Sequence, residues 1–448
     1  MGRSRWLARV WPLVSWVFVC FHVLAARAES PSAADASLAG PLDRGVFVRW
    51  VVARNPSVHA AELRARAVTT TADAEGRLPP PEAMVQVWQV PLSRPYAVGD
   101  SQMVMFGVSQ SFPAPGSLGA REAAGHQDAR ADEAIAAERA RQVAREAEHA
   151  FADYVEATAR HRIHDAHQEV ARRVLSVAQG RQAAGGALTE VTQAEVELAR
   201  VQADLMTDAA RMETARARIN ALLGRSPYAP LGLPVEGDPT VPTWSPDQIL
   251  AAARASRPEL RAAAARQQAK KLELRAAERE ATWPSFSLGV SYFAPTTVVP
   301  VHGYGVNAGM SMPWVWGAAD RRRDAERLSV TAAAAEIEGV RVEIDADVVT
   351  AESTVRAAAL RLQVERDRVL PATKRAFDLA WGGYESGRTD ILTLLAARRA
   401  VVDAEHDVVM SRALLDHALA DLDAAVGIPV PRRPLGPLAA GSEEAGHG

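Results

Sequence analysis

Only one cysteine, Cys20, occurs in the 448 residues. With no second thiol, a disulfide framework within the chain is excluded, and so is cysteine chemistry in any mature product. An excess of one charge is missing too. Lys and Arg number 51 against 54 Asp and Glu, so nothing advertises nucleic acid as a partner. After residue 28 no apolar run reaches the ~18 residues of a membrane-spanning helix. Membrane contact, if any, therefore has to come from strands. There is no Gly-rich phosphate loop, no H-E-x-x-H and no nucleophile motif, so neither an enzyme nor a cofactor is expected.

What is present begins with an export signal. Arg3, Arg5 and Arg9 form a basic n-region, Val10 to Leu24 an apolar core, and Ala26-Arg27-Ala28 an A-x-A cleavage site. Cys20 lies inside this signal, and the bulky Phe18 and Val19 before it argue against lipidation.

Two regions alternate with period two. Phe286, Leu288, Val290 and Tyr292 interleave with Ser285, Ser287, Gly289 and Ser291; Tyr304, Val306, Ala308, Met310 and Met312 interleave with Gly303, Gly305, Asn307, Gly309 and Ser311. Val104, Phe106, Val108 and Phe112 repeat the pattern earlier, preceded by a weaker strand from Ala83 to Val90. Apolar residues against tiny or wet ones suit strands with one face in lipid and one toward water. Val104, Phe106, Val108, Phe286, Leu288, Val290, Tyr292, Tyr304 and Val306 are the expected lipid-facing set. Four strands cannot close a membrane barrel, which needs about eight, so the chain is expected to share its barrel with copies of itself. The plainer alternative is two β-hairpins capping a soluble helical domain.

The chain is also written twice, with a period of about 200 residues. Asn55-Pro56 and Arg257-Pro258 open helical stretches; Leu78-Pro79 and Trp283-Pro284 introduce strand pairs; Phe112-Pro113 and Met312-Pro313 end them. Two long helical segments follow in each copy, turned at Gly185-Gly186 and at Gly382-Gly383 with Gly387, and ended at Gly224 and Gly427. The expected organisation is a signal over 1–28, an N-terminal extension over 29–44, repeats over 45–236 and 237–430, and a flexible tail over 431–448. The first repeat holds strands at about 83–90 and 102–112 and a helical hairpin at about 118–223. The second holds strands at about 285–294 and 303–312 and a hairpin at about 318–426.

The return helices carry coiled-coil rows. Leu394, Val401, Val408, Leu415 and Leu422 form one heptad row, and Ala397, Ala404, Ser411, Ala418 and Ala425 the other. Large residues facing small ones let helices approach closely. In the first copy Val191, Leu198, Leu205, Met212 and Ile219 recur every seven residues, while Asp208 breaks the row of Ala194, Val201, Ala215 and Leu222. Pro371 should kink or locally reset the second outgoing helix; the first copy has Val170 at the matching place.

Taken with Phe112-Pro113-x-x-Gly116, Gly186-x-x-Thr189-x-Val191, Tyr384-x-x-Gly387 and Leu422-x-x-x-x-Gly427, this order of elements resembles the TolC-type outer-membrane efflux family, from about Val46 to Pro429. Local features are closest to its heavy-metal cation branch. The resemblance implies a mainly α chain with a β-barrel part. It implies a homotrimer whose four strands per subunit close a 12-stranded outer-membrane barrel, with helices continuing as an α-barrel tunnel through the periplasm. Partners so implied are a periplasmic adaptor (a membrane fusion protein), an inner-membrane pump and outer-membrane lipid.

Adaptor contact would fall on the tips: Gly185, Gly186, Leu188, Thr189, Ser386, Gly387, Arg388 and Asp390. The family often narrows its periplasmic mouth with acids just beyond the second tip, but Ile391 to Arg399 contains none. A gate here would rest on Arg388, Asp390, Leu392 and Leu395. His161, His164 and His167 are read as a solvated helix face rather than a metal site, since all three imidazoles cannot easily grip one ion. Arg321, Arg322 and Arg323 suit lipid headgroups or a solvated helix start. Trp283, Trp314 and Trp316 suit an interfacial belt, with core packing as the competing account. A passive exit duct is the expected function; a periplasmic adaptor or a soluble coiled-coil scaffold are the rivals.

Overall fold

The computed structural model describes Leu38 and residues 40–438. The signal expected over 1–28, with Cys20, lies outside them. Two similar runs of elements follow each other. The first is α1 (Arg44–Arg54), α2 (Pro56–Glu75), β1 (Glu82–Trp88), β2 (Met103–Phe112), α3 (Ser117–Ala183) and α4 (Leu188–Leu222). After a short strand β3 (Thr240–Pro242) comes the second: α5 (Pro246–Ser256), α6 (Pro258–Thr282), β4 (Phe286–Ala294), β5 (Gly303–Met310), α7 (Ala318–Val364), α8 (Leu370–Glu385) and α9 (Ile391–Val426). Strand β6 (Arg432–Pro434) then pairs antiparallel with β3. The tail expected to be flexible from 431 is thus tied down where it is described; residues 439–448 lie outside the described set.

Local chemistry sets the helix starts. Asp43 caps α1 by accepting from Val46 N at 2.9 Å, and Asn55 caps α2 by accepting from Ser57 N at 2.9 Å. Pro56 sits in the first turn of α2, where a missing N–H costs nothing. Ser245 and Gln248 form a reciprocal capping box at α5. Both long outgoing helices are entered through a left-handed glycine, Gly116 at φ 82° and Gly317 at φ 66°. A side chain there would be strained, so each strand-to-helix turn depends on glycine.

Among the described residues, three larger apolar cores and a small alanine cluster of Ala131, Ala134 and Ala262 follow. Phe47, Val51, Val143, Phe151, Tyr154 and Ile219 join α1 to the first hairpin. Ile249, Ile344, Val348, Leu415, Leu419 and Leu422 join α5 to the second. A third core at the tips draws on both hairpins. Helix α3 runs unbroken for 67 residues, on the order of 100 Å at 1.5 Å per residue. Its counterpart differs at Pro371: residues Glu365–Val369 form a π-helical turn between α7 and α8. Pro371 has no N–H to give and crowds the carbonyl four residues back, and the wider turn relieves both problems. The expected local reset occurs there; Val170 lies within unbroken helix.

Both heptad rows of α9 are largely buried, with Leu394, Leu415 and Leu422 fully so. Leu415→Ala should therefore cost about 2–5 kcal/mol, read as a lower midpoint for urea-induced loss of helical circular dichroism. A midpoint equal to wild type would show that this row does not hold the hairpin.

Candidate functional site

Three regions can do chemistry or make contacts: the strand faces, the hairpin tips and a polar seam between the hairpins. The four strands form one sheet in the order β1-β2-β4-β5, antiparallel throughout. Register decides the faces. Phe106 pairs with Tyr292 and Tyr292 with Tyr304; Val108 pairs with Val290 and Val290 with Val306. Paired residues share a face, so Val104, Phe106, Val108, Phe286, Leu288, Val290, Tyr292, Tyr304 and Val306 lie on one side, joined by Val85 and Val87. All but Val104 are well exposed; Val104 is partly covered. The opposite face carries Ser287, Gly289, Ser291, Gly305, Asn307 and Gly309. Trp283, Trp314 and Trp316 are exposed at the helix-bearing end of β4 and β5, so core packing does not account for them. Arg322 pairs with Glu280 and Arg323 with Asp320.

At the tips, Val174, Ala178, Val191 and Ala194 of the first hairpin pack on Ala380, Tyr384, Ile391, Leu394 and Leu395 of the second. Arg181 Nη1 donates to the Tyr384 carbonyl at 2.7 Å, and Tyr384 Oη donates to Glu190 Oε2 at 2.9 Å. The Arg181 guanidinium also lies over the Tyr384 ring. Burial, with the hydrogen bond to Glu190, pushes the Tyr384 phenol up to about 12. Gly383 makes room for the turn, because a Cβ there would lie 2.2 Å from Thr389 Oγ1.

The eight expected tip residues are all exposed. Asp390 accepts from Thr393 N at 2.7 Å and caps α9; that hydrogen bond holds its carboxyl below the usual range. Arg388 Nε donates to Ser386 Oγ at 2.9 Å. Leu395 departs from its expected place. It is buried in the tip core, because it shares the inward face of α9 with Ile391 and Leu394. Leu392 alone of that apolar pair is exposed.

The seam runs between α3 and its neighbours α4 and α9. His149 stacks on His417 with ring centroids 4.5 Å apart, His149 Nε2 lies 3.0 Å from Asp421, and His417 Nε2 lies 2.9 Å from Asp153. Further along, His164 bonds Asp208, His406 meets the His164 ring edge-on, and His167 Nε2 lies 2.8 Å from Glu405 Oε2. The expectation of a solvated histidine face is therefore corrected. His164 is 6% exposed and His167 is largely covered, because α4 and α9 close over that side of α3. Asp208, which interrupts a heptad row, is the buried partner of His164, with Arg211 Nη1 at 3.1 Å.

Sequence reasoning missed Glu197 and Arg398, both 3% exposed, which pair across the hairpins with Arg399 on the same carboxylate. Burial works against the Glu197 charge, but the Arg399 and Arg398 hydrogen bonds overcome it and leave the carboxyl below its ordinary value. The available signal was a charge in phase with apolar rows: Glu197 among Val191, Ala194 and Val201, and Arg398 among Leu394, Leu395 and Val401.

A solved-structure comparison finds this fold among outer-membrane channels. The channel OprN superposes with a TM-score of 0.68 at 22% identity, covering 86% of this chain and 89% of its own. CusC, solved in connection with folding and transmembrane channel formation, gives 0.71 at 17% identity over 86% and 92%. The outer membrane protein VceC of Vibrio cholerae gives 0.67 at 17% over 86% and 96%. Residues 249–428 match the family model of outer membrane efflux proteins. That segment is less than half of the chain, and the superpositions show that the whole described chain shares the channels' fold. The sequence matches none of the curated proteins with which it was compared. The matched segment is the second repeat from α5 to the end of α9, so it includes one face of the seam and the second tip.

Seam titration has a definite sign. Burial, with the Arg160 and His164 charges, lowers His406 from 6.5 to about 4; Asp208 opposes this. The unfolded chain therefore takes up this proton first, and stability falls as pH drops from 6.5 to about 4. The hydrogen bond from His167, with Lys374, lowers Glu405 from 4.5 to about 2; its contribution is complete above 4.5 and lost as pH falls toward 2. His417, raised by Asp153, acts oppositely, contributing at low pH and less as pH rises through its raised value. His406→Gln should flatten the fall in urea midpoint between pH 6.5 and 4, whereas His417→Gln should remove a loss of stability that sets in above pH 6.5. Parallel profiles for wild type and His406→Gln would remove His406 from the account.

Proposed function

We infer that this chain is the passive exit duct of a tripartite efflux system in the outer membrane, with its helices extending into the periplasm. One observation carries the reading: a four-stranded sheet with a continuous exposed apolar face is joined to helical hairpins about 100 Å long. A soluble protein has no use for such a face. Three copies would supply twelve strands, enough to leave an aqueous passage, whereas two would supply eight and fill with side chains. The duct receives its cargo from a periplasmic adaptor docked on the exposed tips and an energised inner-membrane pump. Its own role is conduction rather than catalysis. An adaptor would need only one hairpin, and this chain has two. Resistance to carbonate extraction and a detergent-solubilised mass of three chains would support the duct; a soluble or monodisperse monomeric protein with full β-signal would overturn it.

The strand faces give a sharper test. Val290→Arg should cost about 2–4 kcal/mol if that side chain sits at mid-membrane, and outer-membrane insertion should fail. Ser287→Arg, one residue along the register from Leu288 and on the opposite face, should insert and alter conductance. Equal tolerance of the two variants would show the faces to be reversed or both wet.

Asp390 combines a charge with a cap, and the two roles separate by substitution. Asn caps helices as well as Asp does, and Ala does not. If Asp390 closes the mouth by pairing with Arg388 of a neighbouring subunit, Asp390→Asn and Asp390→Ala should both raise single-channel conductance in planar bilayers. The rise should shrink at high salt, where the wild-type pairs are already screened. A rise in Asp390→Ala alone would assign the effect to fraying of α9.

A further inference from the structure

Where α2 meets the start of α3, three donors converge from two helices. Asp73 lies in the last turn of α2, and Glu122 and His126 lie one turn apart on α3. One donor atom from each falls within 4.8 Å of the others, with His126 Nε2 at 3.4 Å from Asp73 Oδ1. Two ligands of a tetrahedral ion with bonds of about 2.1 Å stand about 3.4 Å apart, so this spacing suits zinc-like coordination. Spacing Glu122 and His126 four residues apart puts both on one helix face, as a helix-borne pair of ligands requires.

The backbone is shaped around this cluster. At Gly76, which ends α2, a Cβ would lie 2.5 Å from the Glu122 carboxyl group, so a side chain there would push that flexible carboxylate from its place beside α2. At Gly125, a Cβ would lie 2.7 Å from the Ala72 side chain, so the two helices approach as closely as small residues allow. Among the described residues, Glu122 has no cationic or hydrogen-bonding partner. It sits half-covered against a neighbouring helix end, where two carboxylates repel unless a cation joins them.

We propose that Asp73, Glu122 and His126 form a binding site for one borderline divalent cation of the zinc type, which clamps α2 to α3 beside the strand-bearing end of the molecule. The imidazole selects against calcium and magnesium, which take oxygen ligands. Three protein ligands leave a fourth position for water. This is a resident cation at the helix junction, independent of what the duct conducts. Holding α2 against α3 fixes the two segments from which β1 departs and to which β2 returns.

The test uses full-length detergent-solubilised protein, stripped with EDTA and titrated with zinc chloride by isothermal calorimetry. One saturable zinc per chain is expected at neutral pH. His126→Ala and the milder Asp73→Asn should each weaken it more than about 100-fold, since even outer-sphere changes cost about 10–100-fold. His59→Ala, which removes an exposed imidazole elsewhere on α2, should leave the isotherm unchanged. Calcium chloride in place of zinc should give no saturable heat. The proposal is overturned if wild type shows no saturable zinc binding, if calcium competes equally, or if His126→Ala binds as wild type does while keeping its helical circular dichroism.

Discussion

Among the described residues, strands β1 and β5 each leave one edge of the sheet without a backbone partner. In hydrocarbon no water is present to satisfy those N–H and C=O groups, so an open sheet edge is not tolerated there. A second constraint comes from the same sheet: its apolar face is too continuous to leave in water. Both are met together when copies join edge to edge around an axis. Helix placement then follows, because every strand pair is bracketed by helices that leave it at the same end. Were the strands to close a ring, the long helices would form one too.

Within each subunit, packing between the hairpins combines small residues with buried charge. Alanines line much of the inner face of α3, including Ala124, Ala131, Ala147 and Ala150, and they let neighbouring helices come close. Alanine contacts are smooth, and a smooth interface permits sliding. Glu197 with Arg398, His167 with Glu405 and Tyr384 with Glu190 supply specific registration across it. Buried ion pairs add little net stability, but breaking one leaves an uncompensated charge. A shift of α9 by one turn along α3 and α4 would strand several charges at once, so these pairs define one alignment between the two repeats.

Much of this architecture was legible in the sequence because its signals are periodic. Alternation from Ser285 to Met312 identified β4 and β5 and assigned their faces, and heptads marked α9. Helices α1 and α5 were not read. In α1, Val46, Phe47, Val48, Trp50, Val51 and Val52 form a β-branched, apolar run with no amphipathic phase; the Asp43 cap and the packing of Phe47 and Val51 on α3 make it helical. The β3–β6 pair joins segments nearly 200 residues apart through three residues each, too short for a pattern. Pairings such as Glu197 with Arg398, 201 residues away, were invisible for the same reason. A single charge in a heptad row reads as a flaw until its partner is known. Asp208, His164 and His167 were misread in that way.

The π-turn at Glu365–Val369 has a geometric result beyond accommodating Pro371. A π-turn houses one residue more than the α-turn it replaces, and one residue is about 100° of helix rotation. The stripe that α7 turns toward α5 and α9, with Ile344, Val348 and Leu362, is thus offset in azimuth from the stripe of α8 with Ala380 and Tyr384. One continuous rod thereby presents two differently aimed apolar faces, the first to its own repeat and the second partly to the other. Unbroken α3 has no such offset, so two copies of one ancestral pattern meet at the tips as unequal halves. That inequality gives the distal end of each subunit a handed, two-part surface, and a ring of three would alternate between its two kinds of tip.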